Sequence, residues 1–383
     1  MHCLPNWSAY TVLWQIIVSM KIYIKFVRFQ FLNKPKQNNT MKMLLFRRIT
    51  QNFTMRLKNI FIGFSASLLF LAALSSCSTD VELYADYEEV TVVYGLLDQD
   101  QDTNFIKITK AFSGPGNALV MAQEPDSSNY AGKLDVQLKG RKNSNDLPPI
   151  VLDTITIHNK LAGDSIFYFP SQKLYYTSAP LDAAATYELV INRNNEQITA
   201  QSDLIKSFGI LKPGGFVFNF TATIASQIEW RSAVDGKRYE VGLTFYYKEL
   251  RPENPDTLYK SMDWNLGTRT SNSLDGDETM SVSYLGENFY NRLGQQIDDA
   301  LNVKRWAGDV VVSISAGGEQ LSTFIDVNAP SSSIIQEVPQ YTNIDGGTGI
   351  FSSRRSISRS YKLLSTSEDK LINDYNWGFT RMP

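Results

Sequence analysis

Leu134-Asp135-Val136-Gln137-Leu138 alternates strictly between apolar and polar side chains. A period of two places Leu134, Val136 and Leu138 on one face of an extended chain and Asp135 and Gln137 on the other, which describes a half-buried strand. Similar runs lie on either side, rich in Val, Ile, Tyr, Phe and Thr and separated by turn residues, at 90–97, 105–112, 150–157, 165–169, 174–177, 186–192 and 197–202. In 105–112 the alternation is imperfect. Asp98-Gln99-Asp100-Gln101-Asp102 reads as a polar turn, and 114–122, opened by Gly and Pro, as a loop insertion with room for one or two helical turns. Eight such strands within about 115 residues predict an immunoglobulin-like β-sandwich over 90–211.

Lys212-Pro213-Gly214-Gly215 is the clearest linker in the chain. The residues after it predict a second β-rich domain over 212–383, with one or two helices, so the fold class is mainly β. Strands are expected near 224–230, 239–250, 258–268 and 279–285. In 287–301, Phe289, Leu293, Ile297 and Leu301 recur every fourth residue, which predicts the best helix of the chain. The segments 309–316 and 321–327 read as a hairpin turning on Gly317-Gly318-Glu319, and 365–375 as a short terminal helix.

The N-terminal side carries an address. Arg56 and Lys58 precede an apolar run from Ile60 to Leu74, then Leu74-Ser75-Ser76-Cys77. Positive residues, an apolar stretch and small residues before a cut site make a bacterial secretory signal. Leu-Ser-Ser-Cys fits a lipobox whose Cys77 thiol takes a diacylglycerol and becomes the new N-terminus. Residues 1–54 hold eight Lys and Arg, no acid and no sustained period, and are read as a mis-called upstream start with Met55 as initiator. Residues 55–76 are then the signal peptide and 77–89 an acidic tether. Acids soon after the lipid cysteine resemble a surface-export signal, so the expected location is the outer membrane, lipid-anchored and surface-exposed.

Ten of the 37 basic residues precede position 77 and all 39 acidic ones follow it, so the part after the lipobox is near −12. That acidity argues against a nucleic-acid partner. Cys3 and Cys77 are the only cysteines, which removes disulfides, thiolate metal sites and a catalytic cysteine from the body. His158 is the only histidine after position 2, so multi-histidine metal sites are excluded. No Gly-x-Ser-x-Gly elbow is present, and nothing nominates a glycosidase carboxylate pair, so no catalytic residues and no enzyme activity are expected. No cofactor is expected either. The loosest metal candidates are Asp98, Asp100 and Asp102, and Asp275 with Asp277, with calcium-like spacing. Position twelve counted from Asp98 is Thr109, so the EF-hand template fails there. Tyr168, Tyr176 and Tyr246, on aromatic strands, are candidates for an exposed ring patch that meets protein or glycan.

Pro339-Gln340-Tyr341-Thr342-Asn343-Ile344 followed by Gly346-Gly347-Thr348-Gly349-Ile350-Phe351 resembles the C-terminal signature of a Bacteroidota outer-membrane lipoprotein family carrying a domain of unknown function. Val92-Val93-Tyr94-Gly95 resembles that family's opening strand. The resemblance marks Tyr341, Asn343, Ile344, Gly347, Gly349 and Phe351 as signature positions. It implies a surface accessory role beside a TonB-dependent transporter, with no catalytic residues to carry over. By chemistry alone the glycine cluster is a closure loop, allowing positive φ or close backbone approach, with Ile350-Phe351 plugging a core. The expected function is a lipid-anchored accessory or binding protein. The alternatives are a glycan- or peptide-binding module for uptake and, last, a carboxylate-dependent glycosidase.

Overall fold

The computed structural model describes residues 89–111, 118–158, 171–221, 223–298, 302–329 and 340–382, all within one compact unit, Leu83–Pro383. The fold is mainly β and sandwich-like. Its first half begins with β1 (Thr91–Leu97) and β2 (Asn104–Lys110), joined by the expected acidic turn. Two short helices, α1 (Ala118–Gln123) and α2 (Pro125–Ser128), follow where the insertion was expected. Next come β3 (Asp135–Lys142), β4 (Asn145–Asp146), β5 (Ile150–Val151), β6 (Asp153–Ile157), β7 (Gln172–Thr177), β8 (Thr186–Arg193) and β9 (Glu196–Asp203). The expected strand at 165–169 lies outside the described residues.

Strands β1, β2, β7 and β6 are neighbours in one sheet; β4, β3, β8 and β9 form a second, with β5 also on β3. The alternation read from the sequence decides what lies between them. Val93, Leu97 and Ile106 from the first sheet meet Val136, Leu138, Leu189 and Ile191 from the second in one buried cluster. Burying a Val, Leu or Ile side chain is worth about 1.5–3 kcal/mol each, so this layer is the main stabiliser of the first half.

The second half contains β10 (Ile210–Lys212), β11 (Val217–Phe218), β12 (Ser226–Arg231), β13 (Arg238–Arg251), β14 (Asn254–Thr270), β15 (Thr279–Tyr284), β16 (Lys304–Gly317) and β17 (Gly347–Leu363). Its helices are α3 (Gly286–Gln296), α4 (Glu319–Val327) and α5 (Ser365–Asn373). Its core is aromatic, with Phe220 stacked on Phe289 at 3.8 Å and Trp230, Tyr239 and Phe245 buried around them. Phe289 and Leu293 face that core as the fourfold spacing required; the helix ends at Gln296, and Leu301 lies outside the described residues.

The sheet does not stop at position 212. It runs β14-β13-β16-β17-β1-β2-β7-β6. Strand β17 joins the halves: Gly347 to Ser353 pair parallel with β1, and Arg354 to Lys362 pair antiparallel with β16. The first-half core also takes Ile344 and Phe351 from the C-terminal segment.

Two sequence expectations are corrected. Residues 321–327 are helix α4, not the second strand of a hairpin. Leu321, Thr323, Ile325 and Val327 satisfy a period of two, but Leu321, Phe324 and Ile325 equally satisfy i, i+3, i+4. Both edges of β16 are occupied, by β13 and β17, so no ladder is open to a returning strand. The glycine cluster closes onto the first-half core as expected, with positive φ at Gly346 and Gly349 and with Ile350 and Phe351 buried, but from Gly347 onward it does so as strand β17 and not as a loop.

Candidate functional site

Strand β1 buries Thr91, Val93, Gly95 and Leu97 and turns Val92, Tyr94 and Leu96 the other way. On an ordinary outer face those positions would be polar. Here Tyr94 is 47% exposed, and on β2 Phe105 is 46% exposed. Helix α4 leans over this face, with the Phe324 ring edge-on to Tyr94 at 6.4 Å between centroids. Its seat is made by the strand beneath: Ser352 Oγ accepts from Leu321 N at 3.3 Å, and Gly318 N donates to Ser353 O at 3.0 Å. Between helix and sheet lies a groove of about 620 Å³ whose walls are Tyr94, Leu96, Phe105, Leu321, Phe324 and Ile325.

One end of the groove is polar. Asp98, 2% exposed, accepts from Asp100 N through Oδ1 at 3.1 Å. Its own N–H donates to Asn104 Oδ1 at 2.7 Å, while Asn104 Nδ2 donates to Asp98 O at 3.1 Å. Arg354 Nε stands 3.8 Å from Asp98 Oδ2. Burial pushes the Asp98 carboxyl above the usual aspartate range, and the Asp100 N–H and Arg354 only partly offset it. The neighbouring Arg355 is fully engaged, gripping both oxygens of Asp100 at 2.7 and 3.1 Å.

The calcium candidates diverge accordingly. Asp98 faces Asp100 N and Arg354, Asp100 is held by Arg355, and Asp102 is exposed. Asp275 and Asp277 sit in a turn where Asp277 has φ +58°. The adjacent Glu278 carboxylate accepts from Asn272 N and Nδ2, both at 2.7 Å. Among the described residues, no group of three or more His, Cys, Asp and Glu side chains could hold a metal ion. His158 Nδ1 lies 2.7 Å from Ser171 Oγ at an exposed position. No carboxylate is bonded to that imidazole among the described residues.

The signature residues hold backbone. Asn343 accepts from Phe351 N at 2.9 Å and donates to Phe351 O at 2.6 Å, so one amide side chain stands in for a neighbouring strand. Ile344 and Phe351 are buried, and Tyr341 is half-buried. Gly349 has φ +112°, and a Cβ there would lie 2.0 Å from Val93 O. A Cβ on Gly347 would lie 2.8 Å from Thr91 O. Only glycine permits β17 to approach β1 in this way.

Of the ring candidates, Tyr176 pairs with Phe105 at 6.2 Å, on the sheet face that carries the groove. Tyr246 lies on β13, opposite Ser261 of β14, and does not join them. Tyr168 lies outside the described residues, as do Cys77 and the lipobox residues Leu74, Ser75 and Ser76.

The sequence reading missed the groove. The available signal was Tyr94 and Leu96 on the face of the 90–97 strand opposite Val93, Gly95 and Leu97. It also missed the buried cluster around Glu249, which accepts from Arg305 Nε at 2.8 Å and lies 2.7 Å from both Arg251 Nε and Lys260 Nζ.

No family model and no curated protein matches the chain. Among solved structures, the C-terminal globular domain of oligosaccharyltransferase from Pyrococcus abyssi is similar at 11% identity and a TM-score of 0.21, over 53% of this chain and 41% of that one. The match spans less than half of that chain and assigns neither fold nor activity. Among the described residues, no helix is long and apolar enough to cross a membrane.

Proposed function

We propose that this chain is a lipid-anchored, non-enzymatic accessory or binding protein of the outer membrane and cell surface. It is held by a lipid on Cys77, partners a TonB-dependent transporter, and works through the groove between α4 and β1–β2. The groove is the observation that carries this reading. Exposed aromatic and aliphatic side chains gathered on one face, beside a carboxylate whose ionisation is disfavoured, mark a place built to meet something. The lipobox, the acidic tether and the C-terminal resemblance supply the address and the class of partner.

Two measurements test it. Cys77→Ser should move the protein from the envelope to the soluble fraction; retention in the envelope with an uncut leader overturns the anchoring. Pull-down from solubilised outer membranes should recover a transporter with the wild-type chain and lose most of it with Ile325→Asn on the groove wall. Recovery of the chain alone, or equal recovery by both, overturns the accessory role.

A further inference from the structure

We infer that the groove binds an amphiphilic carboxylate, its apolar body against Tyr94, Leu96, Phe105 and Ile325 and its carboxylate on Arg354; this rests on the groove being the working surface. The charge complementarity comes from Arg354. Its side chain is 53% exposed, and among the described residues its closest carboxylate oxygen, on the nearly inaccessible Asp98, is 3.8 Å away, beyond hydrogen-bond reach. Arg355, one residue on, already has a two-point carboxylate grip. A guanidinium matches a carboxylate in that same planar geometry, so the vacant fork at the groove's polar end selects an acid head.

The remaining groups select the body. Both polar atoms of the Asn104 side chain are committed to the Asp98 backbone, and Thr103 Oγ1 lies 3.1 Å from Ser178 Oγ, which leaves the exposed Gln101 and the Tyr94 hydroxyl as the uncharged polar side chains at the rim. A hydroxyl-rich sugar would therefore leave most of its hydroxyls unpaired against an apolar wall, at a cost of about 1–3 kcal/mol for each one buried. An extended peptide gains no ladder here, because β1 lies between β17 and β2, and β2 between β1 and β7. A flexible apolar chain needs neither kind of partner, and a volume near 620 Å³ suits one.

The test uses the full chain carrying Cys77→Ser, isolated without detergent and titrated calorimetrically with decanoate and with decanol. Decanoate should saturate one site, with decanol about tenfold weaker for lack of the charged pair. Arg354→Gln should abolish that preference, and Ile325→Asn should weaken both ligands alike. Both side chains are solvent-exposed, and melting curves verify that each variant is folded. No saturable decanoate binding, equal affinity for acid and alcohol, or an unchanged preference in Arg354→Gln overturns the inference. If decanoate fails while Ile325→Asn still loses the transporter, the ligand class falls and the groove stands as a docking surface. If both fail, the groove reading falls with it.

Discussion

Glu249 on β13 and Asp98 at the end of β1 are carboxylates buried to 0% and 2% exposure, one in each half of the molecule. Glu249 is surrounded by cations. Arg305 approaches one oxygen, and Arg251 and Lys260 the other. Arg305 also donates to Asp298 Oδ1 at 2.8 Å and to Trp377 O at 2.6 Å, so the cluster fastens the C-terminal segment to three long strands. Burial opposes ionisation of Glu249, but hydrogen bonds from Lys260, Arg251 and Arg305 prevail and hold its carboxyl below the usual glutamate range. Asp98 has one backbone N–H and the charges of Arg354, 3.8 Å away, and Arg355, neither hydrogen-bonded to it, and burial prevails there. The first carboxylate is satisfied by the fold and acts as a clamp. The second is left under-paired beside an apolar groove, and a group in that state points toward function more than toward stability.

The sharpest way to break this contrast is Glu249→Gln. Removing the charge leaves the buried Arg305 with the half-exposed Asp298 as its only carboxylate partner among the described residues, and a loss of about 3 kcal/mol is expected in denaturant unfolding. A loss below about 1 kcal/mol would erase the distinction between clamp and groove. Acid titration comes next. The folded Glu249 binds its proton less readily than the unfolded one, so its stabilisation is complete above the ordinary glutamate range. It fades as pH falls below that range, by at most about 1.4 kcal/mol per pH unit for one group. Glu249→Gln should flatten that limb.

Asp98 should show the opposite sign. Its folded pKa is raised, so its ionisation destabilises the fold above that value, and the cost is relieved as pH falls. Asp98→Asn keeps an acceptor for Asp100 N and should leave stability unchanged or raise it by about 1 kcal/mol. A loss above about 2 kcal/mol would mean the carboxylate is paired after all. The smallest expected effect is that of Ile325→Asn, within about 0.5 kcal/mol in thermal unfolding. A larger loss would make the groove wall part of the core.

Much of the architecture was legible because a period of two is written locally. Leu134 to Leu138, Tyr239 to Tyr247 and the outlying strand runs each carry their own alternation, and Phe289 and Leu293 carry the helix. The reading failed where one stretch satisfied two periods, as in 321–327, and the choice fell to the edges of β16, both of which are occupied by distant strands. At Gly346 to Phe351 the close approach and the buried Phe351 were legible, but the strand and its partner were not. Glycines that announce positive φ announce close approach just as well, and the residues approached, Thr91 and Val93, lie about 250 positions upstream. The site was hidden for the same reason. Tyr94 and Phe105 are ordinary strand residues until α4, more than 200 residues later, is laid beside them.

By itself the amino-acid sequence determined the β class, most strand positions, helix α3 and the acidic balance after position 77. Each of these depends on neighbours a few residues apart, or on composition alone. Only the tertiary structure decided that β17 serves both cores, that Glu249 is caged while Asp98 is not, and that an apolar wall and the Arg354 guanidinium share one groove. Those features depend on pairings across long loops, where backbone edges compete for partners and burial sets the sign of each charge.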